Sequence, residues 1–266
     1  MRKNKFVYLF IVVCLTALLA ACFCACNDTK NVENVLIVGT TMTVDSLNRL
    51  DSAGGAPGYN FDKIASAVSQ ITPVAQIDGE FIPLACGYTV SEDGTTVALT
   101  LKNGFKWHDG QELTIDDIEY TLSSLVKGTD YESVQKNGNS LVFTLCTTDT
   151  KFLEKIASES VLPKHVFDGK TKETLTDEES VIGAGPFRYV GRDIAAGTIT
   201  FERFSEYPYA QSVKIDKVIF KWYGTAEVLT AALKSDEIDM IFNYGTGIGD
   251  DSVAALEDNE SVTLAT

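Results

Sequence analysis

Three groups of residues have types and spacings that could do chemistry. Ser133-Val134-Gln135-Lys136 matches the SxxK spacing in which a lysine activates a serine nucleophile. It reads as a polar, glycine-bounded loop, where a nucleophile would not be held, and no partner motif follows it. His108 and His165 are the two histidines of the chain. They are far apart in sequence and neither has ligand spacing around it, so each reads as a loop or structural histidine. Gly245-x-Gly247-x-Gly249 follows an apparent strand, where glycines could let backbone approach a phosphate. Its third glycine comes one position early, and Asp250 and Asp251 directly after it would repel a pyrophosphate. A flexible loop is the stronger reading. Neither GxSxG nor HExxH occurs, and the acid pairs Asp116/Asp117 and Glu178/Glu179 suit solvated helix starts. The expectation is a protein without catalytic apparatus, without a metal and without a cofactor.

Composition narrows the class further. The chain has 266 residues, 45% apolar and 22% charged, which excludes wholesale disorder. Lys and Arg number 22 against 37 Asp and Glu, a net charge of −15. Such a chain should not bind nucleic acid, whose affinity rests on cations meeting phosphates, nor sit on anionic lipid through a basic patch. Arg2, Lys3 and Lys5 open the sequence, and an uncharged stretch from Phe6 to Ala21 follows. The stretch falls short of the roughly 20 residues that span a bilayer, and its layout is that of a secretory signal. Leu19-Ala20-Ala21-Cys22 resembles the bacterial lipobox. Residues 1–21 are therefore expected to be removed and Cys22 to carry lipid, whose paired acyl chains give stable anchoring. Residues 22–34 read as a tether. Cys24 and Cys26 lie within it, too close for a relaxed mutual disulfide. Whether Cys86 and Cys146 pair, spacing leaves open.

The remaining chain supplies the elements. Val35–Val38 is a short apolar run ending at Gly39, read as a buried strand. Apolar residues at 61, 64, 65, 68 and 71 form one helix face. Val97, Leu99 and Leu101 alternate after the Asp93-Gly94 turn, so residues 87–102 read as a hairpin. GFKWHDG, residues 104–110, is a turn-rich loop. Thr114 and Asp117 form the acidic version of a capping box for a helix with Ile118, Leu122, Leu125 and Val126 inward, ended by Gly128. Leu141, Phe143 and Leu145 alternate as a strand, and Phe152, Leu153 and Ile156 mark a short helix. Gly183-Ala184-Gly185-Pro186 turns into a strand at Phe187–Val190, which pairs with Ile199–Phe204. Val213–Trp222 reads as a strand with a bulge. Thr225 caps a helix whose stripe is Val228, Leu229, Ala232 and Leu233. Ile238–Phe242 is a strand, 251–257 a weak helix, and Ser261–Leu264 strand-like.

These stretches also carry a family pattern. Leu101-Lys-Asn-Gly-Phe-Lys-Trp-His-Asp-Gly-x-x-Leu-Thr-x-Asp-Asp117 resembles the signature of the extracellular solute-binding proteins of peptide and nickel ABC importers. Ile82-Pro83-Leu84-Ala85, Leu162-Pro163-Lys164-His165, Gly183–Phe187 and Leu233–Asp239 resemble further motifs of that family, in its order. The resemblance implies an α/β fold: the N-terminal lobe of a two-lobed, periplasmic-binding-protein-like clamshell. Its mixed sheet would come from residues 35–56 and 180–266, with an inserted α+β subdomain at 57–179. It implies capture of a peptide, or of another small solute such as a metal chelate, for an ABC permease, at the extracytoplasmic face of the membrane. GFKWHDG would be structural. The loop Thr41, Met42, Thr43 and Val44 and the loop Asn243, Tyr244 and Gly245 would border the ligand cleft. Open α/β sheets place ligands outside the carboxyl ends of their strands, which points to the same loops.

Three departures matter. Asp236 stands where the family has a helix-ending glycine, which makes that turn costlier. Cys86 replaces a usual acid. Family members also continue beyond residue 266 into a second lobe. The expectation is an incomplete receptor that binds solute weakly or not at all alone. A lipoprotein that senses peptides or mediates adhesion without transport is the competing reading.

Overall fold

The computed structural model describes residues 33–126, 131–245, 247–257, 262 and 263. The signal segment, Cys22, Cys24, Cys26, most of the tether, Gly128, Ser261 and Leu264 lie outside the described residues. Elements follow in the order β1 (Val35–Thr40), α1 (Tyr59–Val68), β2 (Val74–Ile77), β3 (Glu80–Pro83), β4 (Cys86–Val90), β5 (Thr96–Leu101), α2 (Ile115–Val126), β6 (Tyr131–Asn137) and β7 (Ser140–Leu145). After these come α3 (Phe152–Ser158), α4 (Lys164–Phe167), α5 (Asp177–Ser180), β8 (Phe187–Asp193), β9 (Thr198–Arg203), β10 (Lys217–Trp222), α6 (Ala226–Lys234), β11 (Met240–Ile241) and α7 (Asp250–Glu257). Among the described residues no helix is long and apolar enough to cross a membrane.

A five-stranded mixed sheet has the order β11-β1-β10-β9-β8. β1 runs parallel to β10 and to β11, while β9 is antiparallel to both of its neighbours, β10 and β8. The period of two turns Val218 and Phe220 of β10 and Ile199 and Phe201 of β9 to one face. There they meet Phe61, Ile64, Ala65 and Val68, the apolar stripe of α1. By this packing α1 belongs with the five-stranded sheet, although the sequence boundary at residue 57 puts it in the insertion. The opposite face beside β1 is covered by α6 through Leu229 and Ala232, joined by Ile238. Gly39 permits that approach, because a Cβ there would overlap the side chains of Leu229 and Ile238.

A second, antiparallel sheet has the order β4-β5-β7-β6, beside a two-stranded β2-β3 hairpin. Leu99 and Leu101 of β5 and Leu141, Phe143 and Leu145 of β7 pack on Ile118 and Leu122 of α2, around the fully buried Trp107. Alternation predicts both strands correctly, since one face of each is in the core.

Several expectations are corrected. Ser133–Lys136 is not a loop but part of strand β6. Its residues are mostly polar because it forms the edge of its sheet, so alternation is faint. Residues 213–216 fall outside β10. The bulge expected there lies in β8, between Tyr189 and Gly191. Val228 is 53% exposed, so the buried side of α6 is carried by Leu229, Thr230 and Ala232. Only half of the capping box before α2 forms. The Asp117 carboxylate accepts from Thr114 N at 2.8 Å, but the Thr114 hydroxyl donates to the same carboxylate at 2.9 Å. A complete capping box occurs instead at α5, between Thr176 and Glu179. Cys86 and Cys146 are both free, the first buried and the second exposed. Burial pushes the Cys86 thiol up to about 12.

The two sheets join at a tight crossing. Gly185 N donates to Ser69 O at 2.9 Å, and Cβ atoms at Gly183 or Gly185 would collide with the Ser69–Gln70 backbone. His108 clamps the same turn. Its Nε2 donates to Gly185 O at 3.0 Å while its Nδ1 accepts from Gly183 N at 3.3 Å. Burial lowers this imidazole to about 4, so the ring is neutral, and it stands edge-on to Phe204 with centroids 4.9 Å apart.

Candidate ligand-binding site

β1 and β11 lie side by side and parallel, with Val38 opposite Met240 and Gly39 opposite Ile241. The loops after them therefore leave from the same edge of the sheet. Asn243 ties them together. Its Oδ1 accepts from Thr40 Oγ1 and from Thr41 N, both at 2.9 Å, and its Nδ2 donates to Gly247 O at 2.8 Å. Tyr244 N donates to Met42 Sδ at 3.2 Å. A third element closes the group, because Asn60 Nδ2 at the start of α1 donates to Thr43 O at 2.6 Å.

The seven expected residues are thus brought together, but they differ in what they present. Thr43 and Gly245 are exposed and Tyr244 is 43% exposed, while Thr41 is half-buried. Gly245 has φ +87° with open space beside it, so its backbone is approachable. Met42 is buried. Val44 is 2% exposed and packs in the core of the five-stranded sheet, where its carbonyl accepts from Arg192 Nη1 at 3.0 Å. The side chain of Val44 therefore faces away from any ligand. Asn243 acts as a strut, with both ends of its amide occupied.

Sequence reasoning did not find the contribution of α1. Tyr59 meets Tyr244 edge-on at 6.3 Å between centroids. Lys63 Nζ stands 5.3 Å from the Tyr59 ring centre and 5.2 Å from that of Tyr244. Tyr59 and Lys63 share a helix face through their i, i+4 spacing, turned away from the Phe61–Ile64–Val68 stripe. Only the fold shows which loop that face meets. Behind it Asp62 lies 3.3 Å from Lys63 Nζ and 3.3 Å from Arg49 Nε. Burial lowers the Arg49 pKa, and the Asp62 charge opposes that shift.

The other candidate groups are occupied structurally. Lys136 Nζ binds Asp116 at 2.7 Å and Glu119 at 2.9 Å. Residues three apart on a strand point to opposite faces, so Lys136 cannot serve Ser133. His165 Nε2 meets Asp109 Oδ2 at 2.8 Å.

A sequence model of the family described as "Bacterial extracellular solute-binding proteins, family 5 Middle" matches residues 82–265. The chain belongs to this family of bacterial extracellular solute-binding proteins. Among its family 5 relatives, the oligopeptide-binding protein AppA of Bacillus subtilis is 25% identical over 90% of this chain and 48% of its own length. The dipeptide-binding protein of Lactococcus lactis is 26% identical over 93% of this chain and 46% of its own. The chain spans about half the length of the curated relatives it matches. The crystal structure of the substrate-binding protein CtaP of Listeria monocytogenes superposes with a TM-score of 0.60 at 27% identity, covering 77% of this chain and 44% of that one. That of AppA of B. subtilis with a nonapeptide gives 0.64 at 21% identity, covering 85% and 47%.

In this family 5 chain the long motif from Leu101 to Asp117 builds the fold and not the site. Gly104 and Gly110 both have φ +91°, and Phe105 and Trp107 are buried between them. Trp107 Nε1 donates to Asp117 Oδ2 at 3.4 Å. The other Asp117 oxygen accepts from Lys164 N at 2.8 Å, which links this motif to Leu162–His165.

Proposed function

We propose that the chain is the lipid-anchored solute-capturing component of an ABC importer, and that its solutes are short peptides. Lipid on Cys22 would hold it at the extracytoplasmic face, and a membrane permease would receive the solute. The observation that carries the reading is the joined pair of loops at the carboxyl ends of β1 and β11, with Thr43, Tyr244 and Gly245 outward. Hydroxyl, aromatic and open backbone groups suit peptide contacts. Relatives named for oligopeptide and dipeptide binding support the solute class.

The described residues supply one wall of the site, and weak binding is expected of that wall alone. A micromolar enclosed site corresponds to about −8 kcal/mol, and half of that is a Kd of about 1 mM. Trialanine titrated into the isotopically labelled chain should shift the amide resonances of Thr41–Val44 and Asn243–Gly245 in that range. Shifts confined to other residues, or none, refute the site. Membrane release of a Cys22→Ser variant tests the anchor. Loss of peptide uptake on gene deletion separates transport from sensing.

A further inference from the structure

Lys63 is the cation at the mouth of the candidate site. Its side chain is 26% exposed, and the rings of Tyr59 and Tyr244 hold it from two sides. An ammonium has three donors. One reaches Asp62 at the long distance of 3.3 Å, and Asp62 is shared with Arg49. Among the described residues no second hydrogen-bond acceptor meets Lys63. The ring faces attract the charge but offer no lone pair to the remaining N–H groups. Burial and the Asp62 charge push the Glu159 carboxyl up and the Lys63 charge opposes that shift, but no hydrogen bond joins Glu159 to Lys63 among the described residues.

We propose that Lys63 is the specificity-determining group of this site, receiving the terminal carboxylate of a short peptide between Tyr59 and Tyr244. The inference rests on the peptide-binding reading above and adds orientation to it. In a chain of net charge −15, a cation fixed at the loop edge draws the carboxylate end and repels the ammonium end. A charge-assisted hydrogen bond of this kind changes affinity by about tenfold to a hundredfold.

The test compares trialanine with trialanine amide on the full labelled chain and on its Lys63→Met and Lys63→Arg variants. The wild type should bind the free acid at least about tenfold more tightly than the amide. Lys63→Met should lower the acid to the level of the amide, and Lys63→Arg should keep the preference. Equal affinities on the wild type, or a preference kept by Lys63→Met, overturn the assignment while leaving peptide binding at the two loops intact. The wild-type comparison stands even where Lys63→Met does not fold. If neither peptide shifts either loop, the functional reading falls and this inference falls with it.

Discussion

Replacing Asp117 by alanine should cost more stability than removal of any exposed charge in this protein. Asp117 is 4% exposed, and its carboxylate accepts four hydrogen bonds, from Thr114 N, Thr114 Oγ1, Lys164 N and Trp107 Nε1. The threonine hydroxyl can turn to another acceptor. The two backbone N–H groups and the indole cannot. Each buried donor left alone costs about 1–3 kcal/mol. Water entry and relaxation reduce the sum, so about 3–5 kcal/mol is expected, the range for breaking a buried charged network. For a chain of this size 1 kcal/mol moves Tm by about 2–4 °C, so the midpoint should fall by about 6–20 °C. The neighbouring Asp116 supplies the control. It is half-exposed and pairs with Lys136, so Asp116→Ala should stay within about 1 kcal/mol of the wild type. Urea unfolding of both variants, followed by tryptophan fluorescence and far-UV dichroism, gives the two numbers. A loss below about 1 kcal/mol for Asp117→Ala would refute the argument that this carboxylate joins the two motifs.

Other expectations follow from single groups. Asp236 ends α6 with φ +57°, while Asp236 N donates to Leu233 O at 3.2 Å and Glu237 N to Ala232 O at 3.0 Å, a Schellman turn with a non-glycine in the left-handed position. Asp236→Gly should therefore stabilise by about 0.5–1 kcal/mol in chemical denaturation, after the entropy of glycine in the unfolded chain is subtracted. His108 is lowered from 6.5 to about 4 by burial, so the unfolded chain takes up its proton first. Its contribution, about 3 kcal/mol at most, is complete above pH 6.5 and is lost as pH falls toward 4. Unfolding free energies across that window should fall less steeply for His108→Gln. With its thiol pushed up to about 12, Cys86 should resist a thiol reagent until the chain unfolds, while the exposed Cys146 reacts at once. Peptide mapping after brief labelling reads both.

Much of the fold was legible because burial leaves a period in the sequence. Val97, Leu99 and Leu101, or Leu141, Phe143 and Leu145, announce strands since one face of each enters the core. β6 did not, because only Val134 among Ser133–Lys136 packs inward. Val213 and Ile215 also pack inward, but from a segment outside the ladder, and so they imitated the start of a strand. The cysteine question needed the topology. Cys86 pairs with Leu101 at one end of β5, whereas Leu145, next to Cys146, meets Thr95 at the other end. For the site, strand ends and family motifs located the two loops. They did not reveal that Val44 turns into the core, nor that Tyr59 and Lys63 come across from α1. Those facts depend on which surfaces meet, and that is not written in the local spacing.

The crossing at Ser69 and Gly185 has a mechanical consequence. Two chain passages lying side by side make a pivot, and a body held only there could swivel. A third fastening prevents this. Phe204, Tyr207 and Ala210, from the connection between β9 and β10, sit in the core of the second sheet, where Tyr207 meets Phe105 at 6.0 Å between centroids. A relative turn of the two sheets would therefore have to break the Ser69–Gly185 hydrogen bond and also unpack Tyr207 from the second core. No such fastening depends on Gly245, directly behind Tyr244, whose φ of +87° is a conformation that any side chain would strain.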